Sequence, residues 1–203
     1  MKKLFIIGGM GAGKSTARKA LVDEGLPFID LDKVGHQVLG WDIVKEELRE
    51  EFGDDVFDEN GEVVRKALAA KAFATPAATR ALNRITVPRI EDLFMDMLAD
   101  LEKEGHEAVV VEQSVFKNRQ MSLAYSADVV IAILAKFETR VERAVASGWD
   151  EDDVRRRMAR QITDAERIEE SDVVFNNDGT PDELRNQVVL WWHDYKANGY
   201  KLA

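Results

Sequence analysis

Residues 4–16 read LFIIGGMGAGKST, an apolar run that leads into a glycine-rich loop closed by Lys14 and Ser15. The loop matches G-x-x-x-x-G-K-[ST], whose backbone N–H groups curl around a phosphate while the lysine reaches its outer oxygens. A chance match in a chain of this length has odds on the order of 1 in 100. The apolar run before the loop and the helical pattern after it are the context that the motif requires. The stretch predicts a phosphate-binding loop, and the alternative is a glycine-rich turn without a ligand.

The composition is that of an ordinary globular protein, with 203 residues, 45% of them hydrophobic and 33% charged. A net charge of −10 argues against a general binder of nucleic acid or of membrane surfaces, since both need a basic surface. The absence of cysteine excludes disulfides, thiol nucleophiles and zinc–thiolate sites. No apolar run approaches the ~20 residues of a membrane-spanning helix. We expect a cytoplasmic protein with a small-molecule substrate and infer no obligate protein partner.

Apolar strand patterns alternate with helical patterns along the chain, which predicts an α/β fold with a five-stranded parallel sheet. The predicted strands are residues 4–7, 27–30, 108–112, 127–135 and 173–176. Pro88 should split a long helical stretch near Val87, because proline removes a backbone donor and clashes with the preceding turn. The chain shows no linker and no internal repeat, so we expect one domain with a helical insertion.

Two aspartates, Asp30 and Asp32, end the second predicted strand. A spacing of two puts both side chains on one face if the chain is still extended there. In a parallel sheet this strand end lies at the same edge as the loop, where ligands bind. A carboxylate there can orient or deprotonate a hydroxyl, or hold Mg²⁺ through water. The alternative, an aspartate that caps the following helix, is equally consistent with the spacing. Glu112 ends the third strand, either as a metal-side carboxylate or as a simple strand-end acid.

Arginines cluster between Arg140 and Arg167, where seven of the chain's fifteen fall within 28 residues. Transfer of a phosphoryl group favours guanidinium groups near the migrating charge. A mobile helical pair that carries them is typical of a kinase lid. The alternative is a pair of solvated helices with ion pairs between successive turns.

Several stretches together resemble the dephospho-CoA kinase family, over about residues 5–192. The matching stretches are the loop at 8–16, FIDLD at 28–32, Asn60-Gly61 followed by Arg65, and the block at 161–179. The sequence departs from the family at two places on the acceptor side. Val87-Pro88 stands where the family usually has His-Pro, and Ser114–Asn118 stands where it usually has a P-L-L-F-E-like stretch.

The resemblance implies a P-loop kinase of the nucleoside monophosphate kinase type, which moves the γ-phosphoryl of MgATP to the ribose 3′-hydroxyl of dephospho-CoA. It implies three parts, namely a core (1–33, 105–146 and 171–203), a helical substrate lobe (34–104) and a lid (147–170). A kinase for another small hydroxyl or phosphate acceptor is the enzyme alternative. A nucleotide-dependent binding module is the non-enzyme alternative, although the chain has no N-K-x-D guanine motif.

The motifs and the resemblance together predict roles for individual residues. The expected catalytic residues are Lys14, Asp32 as the base, Arg143 and Arg157, with Arg140 the next candidate. The expected ATP-binding residues are Gly9, Met10, Gly11, Ala12, Gly13, Lys14, Ser15, Thr16 and Asn177, with Ser15 also holding Mg²⁺. The expected acceptor-binding residues are Asp32, Arg65, Arg84 and Lys117. The lid arginines expected to behave as surface residues are Arg155, Arg156 and Arg160.

Overall fold

The structure, a computed structural model, describes residues 1–202. In chain order its strands and helices are β1 (Lys2–Gly8), α1 (Lys14–Asp23), β2 (Phe28–Asp30), α2 (Leu31–Val38), α3 (Asp42–Phe52), α4 (Arg65–Ala72), α5 (Pro76–Lys103), β3 (Ala108–Glu112), β4 (Val129–Leu134), α6 (Phe137–Ala146), α7 (Glu151–Met158), α8 (Asp164–Glu169), β5 (Val173–Asn176) and α9 (Pro181–Ala197). Short 3₁₀ turns lie at Asp54–Val56 and Ala124–Ser126. Of the helices in this described part, none is both long and apolar enough to cross a bilayer.

All five strands run parallel, in the order β2-β3-β1-β4-β5, which confirms the predicted α/β fold. The central strand β1 is fully buried from Leu4 to Ile7, as its continuous apolar run requires. The register pairs Asp30 with Glu112, so both carboxylates stand at the carboxyl edge of the sheet. The glycine-rich loop leaves β1 at this same edge, where ligands bind in open α/β sheets.

The chain divides into two compact units. The sheet unit comprises residues 1–30 and the chain from Leu101 onwards, and the helical unit comprises Leu31–Asp100. In the sheet unit, α1 and α9 cover one face of the sheet with buried side chains that include Leu21, Leu184 and Trp192. The helical unit has its own apolar core, which includes Leu48 of α3 and Leu68 of α4. The roles of substrate lobe and lid stay predictions.

The prediction that Pro88 splits the long helical stretch is wrong, because α5 runs unbroken through it. Burial explains the continuity: Ile85, Phe94 and Leu98 on the two sides of the proline are all buried. Burying each such side chain is worth roughly 1.5–3 kcal/mol, which together outweighs a penalty of ~3 kcal/mol for the proline. The Arg89 side chain also donates from Nη1 to the carbonyl of Ile85, at 2.6 Å.

The chain is no longer extended at Asp32, so Asp30 and Asp32 do not lie side by side on one face of a strand. Asp30 is the last residue of β2, and Asp32 lies in the first turn of α2. An acidic side chain in the first turn is favoured by the helix dipole. The local preference for a helix start therefore prevails over the continued strand.

Two helices in the second half of the chain begin at T-x-x-E capping boxes, a spacing that is readable in the sequence itself. Thr163 and Glu166 form a reciprocal capping box at α8. Thr180 and Glu183 form another at α9, with Pro181 at the first helical position. These local signals fix where both helices begin.

Candidate functional site

The glycine-rich loop between β1 and α1 adopts a conformation that other residues disfavour. Gly11 and Gly13 have φ angles of 73° and 102°, in the left-handed region. A Cβ atom at Gly13 would lie 2.1 Å from Nδ2 of Asn177, and one at Gly11 would lie 2.2 Å from the carbonyl oxygen of Arg140. Both glycines are therefore needed for backbone shape and for close packing of their neighbours.

Two side chains that are distant in sequence hold this loop. The buried Asn177, which follows β5, donates from Nδ2 to the carbonyl of Ala12 at 2.8 Å. The Met10 N–H donates to Oε1 of Gln161, between α7 and α8, at 3.1 Å. Lys14 curls back over the loop, with Nζ 3.1 Å from the carbonyl oxygen of Gly8. The side chains of Asn177 and Gln161 thus hold the backbone of the loop in its shape.

A cavity of about 330 Å³ opens over the loop, and we call it the P-loop cavity. Lys14, Ser15 and Thr16 line it from the loop and α1, and Glu112 lines it from the end of β3. Trp149, exposed between α6 and α7, forms a further wall. The cavity therefore combines a cation, hydroxyl groups and a carboxylate at the carboxyl edge of the sheet.

Arg143 and Arg157, both predicted to be catalytic, occupy different environments. Arg143 lines the P-loop cavity and donates to the carbonyls of Asn177 (2.8 Å) and Gly179 (3.1 Å). Arg157 does not line this cavity; it pairs with Asp153 at 2.7 Å, and its side chain is 55% exposed. Its guanidinium lies 4.9 Å from the centre of the Trp149 ring. The structure thus brings Arg143 to the P-loop cavity and places Arg157 against the Trp149 ring, outside the cavity lining.

Arg140 and Arg167 are buried and share one carboxylate, that of Asp164. Arg167 Nη1 lies 2.6 Å from Asp164, whereas Arg140 Nη2 lies 3.5 Å from it. Burial lowers the pKa of the Arg167 guanidinium, and hydrogen bonding to Asp164 opposes this shift. Arg140 also packs against Gly9, where a Cβ atom would come 2.0 Å from Nη1. Arg140 therefore supports the loop from a buried position, and its predicted catalytic role stays a prediction.

Of the remaining lid arginines, Arg155 and Arg156 form surface ion pairs, and Arg160 is exposed. Arg155 bonds to Glu138 of α6 and Glu151 of α7, and these hydrogen bonds raise the pKa of its guanidinium. Arg156 pairs with Asp153 at 3.6 Å. These contacts match the solvated-helix alternative for this part of the cluster.

The helical unit contains a second cavity of about 380 Å³, which we call the helical-unit cavity. Asp32 and His36 line it from one face of α2, one turn apart, and Arg65 lines it from the start of α4. Its other walls are largely apolar and include Leu68, buried in the core, and the exposed ring of Phe73. A polar wall facing an apolar one suits an organic substrate that carries charged groups.

Two of the four predicted acceptor residues, Asp32 and Arg65, thus share one cavity, whereas Arg84 and Lys117 line neither cavity described above. Arg84 is 68% exposed and pairs with Glu51 at 3.0 Å. Lys117 is exposed on the loop that follows β3.

The structure places three further residues at these sites, namely Trp149, Gln161 and His36. Trp149 belongs to no local motif, so no signal in the sequence predicts its place. Gln161 opens the 161–179 block that carries the family resemblance, which gives it no individual role. His36 lies four residues after Asp32, and this spacing predicts a shared helix face.

Comparison with known proteins links this architecture to one family. The family model described as dephospho-CoA kinase matches residues 4–183. A dephospho-CoA kinase of Corynebacterium efficiens is 36% identical over 190 residues, covering 92% of this chain and 94% of the relative. One of Corynebacterium glutamicum is 35% identical over 187 residues, covering 91% and 92%.

Solved structures share the fold of this chain. A Thermus thermophilus protein, TT1252, superposes with a TM-score of 0.82 at 26% identity, covering 95% of this chain and 97% of that one. The dephospho-CoA kinase of Campylobacter jejuni superposes with a TM-score of 0.64 at 21% identity, covering 95% and 96%. At that identity, the second match shows the fold alone.

Proposed function

The chain belongs to the dephospho-CoA kinase family, and on that premise we propose that it phosphorylates the ribose 3′-hydroxyl of dephospho-CoA to give coenzyme A. Family membership makes it an ATP-using kinase of small molecules. The observation that carries the proposal is the P-loop cavity, where Lys14 and Arg143 face the space above the glycine-rich loop. The cytoplasm as the site of this reaction stays a prediction.

We assign the nucleotide to the P-loop cavity. The loop from Gly9 to Ser15 offers backbone N–H groups at the start of α1, where the helix dipole favours phosphate. Lys14 leaves the loop carbonyls and contacts the outer phosphates, and Arg143 adds charge at the same cavity. Thr16 lines the cavity one residue further into α1. Asn177, bound to Ala12, supports the loop from below.

Mg²⁺ accompanies ATP in phosphoryl transfer, and the P-loop cavity fits such an ion. Ser15 and Glu112 line it with oxygen atoms, the donors that Mg²⁺ prefers. Within residues 1–202 there is no cluster of three metal-binding side chains. This agrees with an ion held by one or two protein oxygens and by the substrate phosphates. Bound there, Mg²⁺ would neutralise charge on the phosphates while Ser15 and Glu112 hold it.

The proposed chemistry at the acceptor needs one base. The hydroxyl oxygen forms a bond to the γ-phosphorus while the bond from that phosphorus to the β–γ bridging oxygen breaks, and ADP leaves. The hydroxyl proton passes to the carboxylate of Asp32. Asp32 supports this assignment because it is exposed and lines the helical-unit cavity. Arg65, in the same cavity, is assigned to the acceptor's diphosphate, because two non-bridging oxygens of a phosphate suit bidentate hydrogen bonding by a guanidinium.

The test is an ADP-release assay with ATP and a panel of acceptors: dephospho-CoA, nucleosides, nucleotides and sugars. We expect robust release only with dephospho-CoA, and a product identified as coenzyme A by mass and by phosphate position. Transfer to another hydroxyl compound, with no product from millimolar dephospho-CoA, would leave a kinase but refute the acceptor. ADP release that is slow and independent of any acceptor would support a binding module instead.

A further inference from the structure

Arg65 belongs to the minority of arginines in the described chain that form no ion pair with a carboxylate, as does Arg143 at the P-loop cavity. Most arginines of this acidic chain form ion pairs with Asp or Glu, as Arg84 does with Glu51 and Arg89 does with Glu47. Within residues 1–202, no carboxylate forms a salt bridge with Arg65; its side-chain contact is with His36. A guanidinium left without an anion at a cavity wall is available to an anionic ligand.

The contact with His36 fixes the position of the Arg65 side chain. Arg65 Nη1 lies 2.9 Å from Nε2 and 3.1 Å from Nδ1 of the His36 ring. A donor this close to both ring nitrogens lies over the face of the imidazole, because the two nitrogen lone pairs diverge in the ring plane and no donor in that plane reaches both. The ring face thus orients the guanidinium and leaves its charge in place, whereas a carboxylate would neutralise it.

His36 and Arg65 also stand together at the boundary between two cavities. Both line the helical-unit cavity of about 380 Å³ and an adjoining cavity of about 340 Å³, where Leu39 also forms a wall. The charged groups that share these cavities are Asp32, one turn earlier on α2, and Glu62, which Lys45 binds at 2.6 Å. The pair therefore presents one positive charge to both cavities.

We propose that His36 is a positioning residue, which holds the Arg65 guanidinium at this boundary for the diphosphate of the acceptor. The inference rests on the proposed function for the identity of the acceptor. A diphosphate joins the two halves of dephospho-CoA, so a cation between two cavities is placed to anchor the middle of an extended molecule. His36 acts through Arg65, and its loss weakens acceptor binding without changing the phosphate-binding loop.

The test measures the Kd of dephospho-CoA by calorimetry without ATP, alongside initial-rate kinetics. His36→Ala removes the ring on which the guanidinium rests, and we expect a roughly 3- to 10-fold higher Kd and acceptor KM. The KM for ATP and the kcat at saturating acceptor should stay within about 2-fold. His36→Phe, whose ring offers a similar face to the guanidinium, should restore most of the affinity lost in His36→Ala. His193→Ala, at an exposed histidine paired with Glu24, is the matched control and should change nothing.

A double variant separates positioning from cavity shape. His36→Ala combined with Arg65→Ala should bind dephospho-CoA no more weakly than Arg65→Ala alone, because the histidine then has nothing to position. Additive losses, or a His36→Phe variant as weak as His36→Ala, would overturn the inference. If dephospho-CoA binds and its affinity depends on His36, but no phosphoryl group is transferred to it, the proposed function alone is refuted. If coenzyme A is formed but the affinity for dephospho-CoA does not depend on His36, the inference alone is refuted.

Discussion

The P-loop cavity and the helical-unit cavity are built in different ways. The first is shaped by backbone, with glycines at left-handed φ angles and amides at the start of α1. The second is shaped by side chains from α2, α4 and α5 against an apolar wall. Each contains an arginine that is held by neutral groups: Arg143 by carbonyl oxygens and Arg65 by His36. A backbone site suits the phosphates common to all nucleotides, and a side-chain site suits one particular acceptor.

The largest effect should come from the acceptor side. Asp32→Asn should lower kcat roughly 10²–10⁴-fold, the usual contribution of a general base, while the KM for ATP changes little. Initial-rate kinetics with both substrates varied measures this. Asp30→Asn is the matched control and should be milder, because Asp30 ends β2 and lies outside the helical-unit cavity. A more damaging Asp30 change would show that the two roles are reversed.

On the nucleotide side, Lys14→Ala should reduce transfer by on the order of 10²–10³, because one charge clamp on the phosphates is lost. The fold should survive, since Lys14 binds loop carbonyls and not the core. Thermal unfolding and single-turnover kinetics check both statements. Wild-type turnover in this variant would contradict the assignment of the loop.

The two predicted lid arginines offer a sharper comparison. Arg143→Ala should lower kcat/KM for ATP roughly 10- to 100-fold, as expected for lost hydrogen bonds to a charged ligand. Arg157→Ala should cost about 3-fold or less, because Arg157 forms an exposed ion pair with Asp153. Steady-state kinetics of both variants measures this difference. Equal losses would show that Arg157 reaches the reaction despite its position.

The hydrogen bond from Asn177 to the glycine-rich loop should contribute mainly to the stability of the fold. Asn177→Ala removes the buried partner of the Ala12 carbonyl, and we expect the free energy of unfolding to fall by about 1–3 kcal/mol. Urea denaturation measures this, with the exposed Asn198→Ala as a control that should stay within ~0.5 kcal/mol. A neutral Asn177 change would remove the argument that this amide shapes the loop.

The same contrast explains what could be predicted from the sequence. Local signals, each readable over a few residues, are enough for three features. These are the central strand β1, the glycine-rich loop, and the capping boxes at Thr163 and Thr180. The continuity of α5 through Pro88 depends on tertiary packing that buries its apolar side chains. The local rule that proline breaks a helix therefore predicts a break that does not occur.

Site residues follow the same division. Arg143 and Arg157 lie in the same arginine-rich stretch, and their sequence context does not distinguish them. Only the packing places Arg143 at the P-loop cavity and Arg157 against the Trp149 ring. The contact between His36 and Arg65 joins α2 to α4, 29 residues apart, and no spacing rule covers it. A site built from side chains can therefore be located only in the tertiary structure, whereas a site built from backbone groups can be predicted from a local sequence motif.

The most direct test of two separate substrate sites is a crossed binding experiment. The Kd values of a non-hydrolysable ATP analogue and of dephospho-CoA are measured by calorimetry for wild type, Arg143→Ala and Arg65→Ala. We predict that Arg143→Ala weakens only the nucleotide and Arg65→Ala only dephospho-CoA, each by roughly 10-fold or more. A variant that weakens both ligands equally, or two variants that weaken neither, would contradict the assignment of one substrate to each cavity.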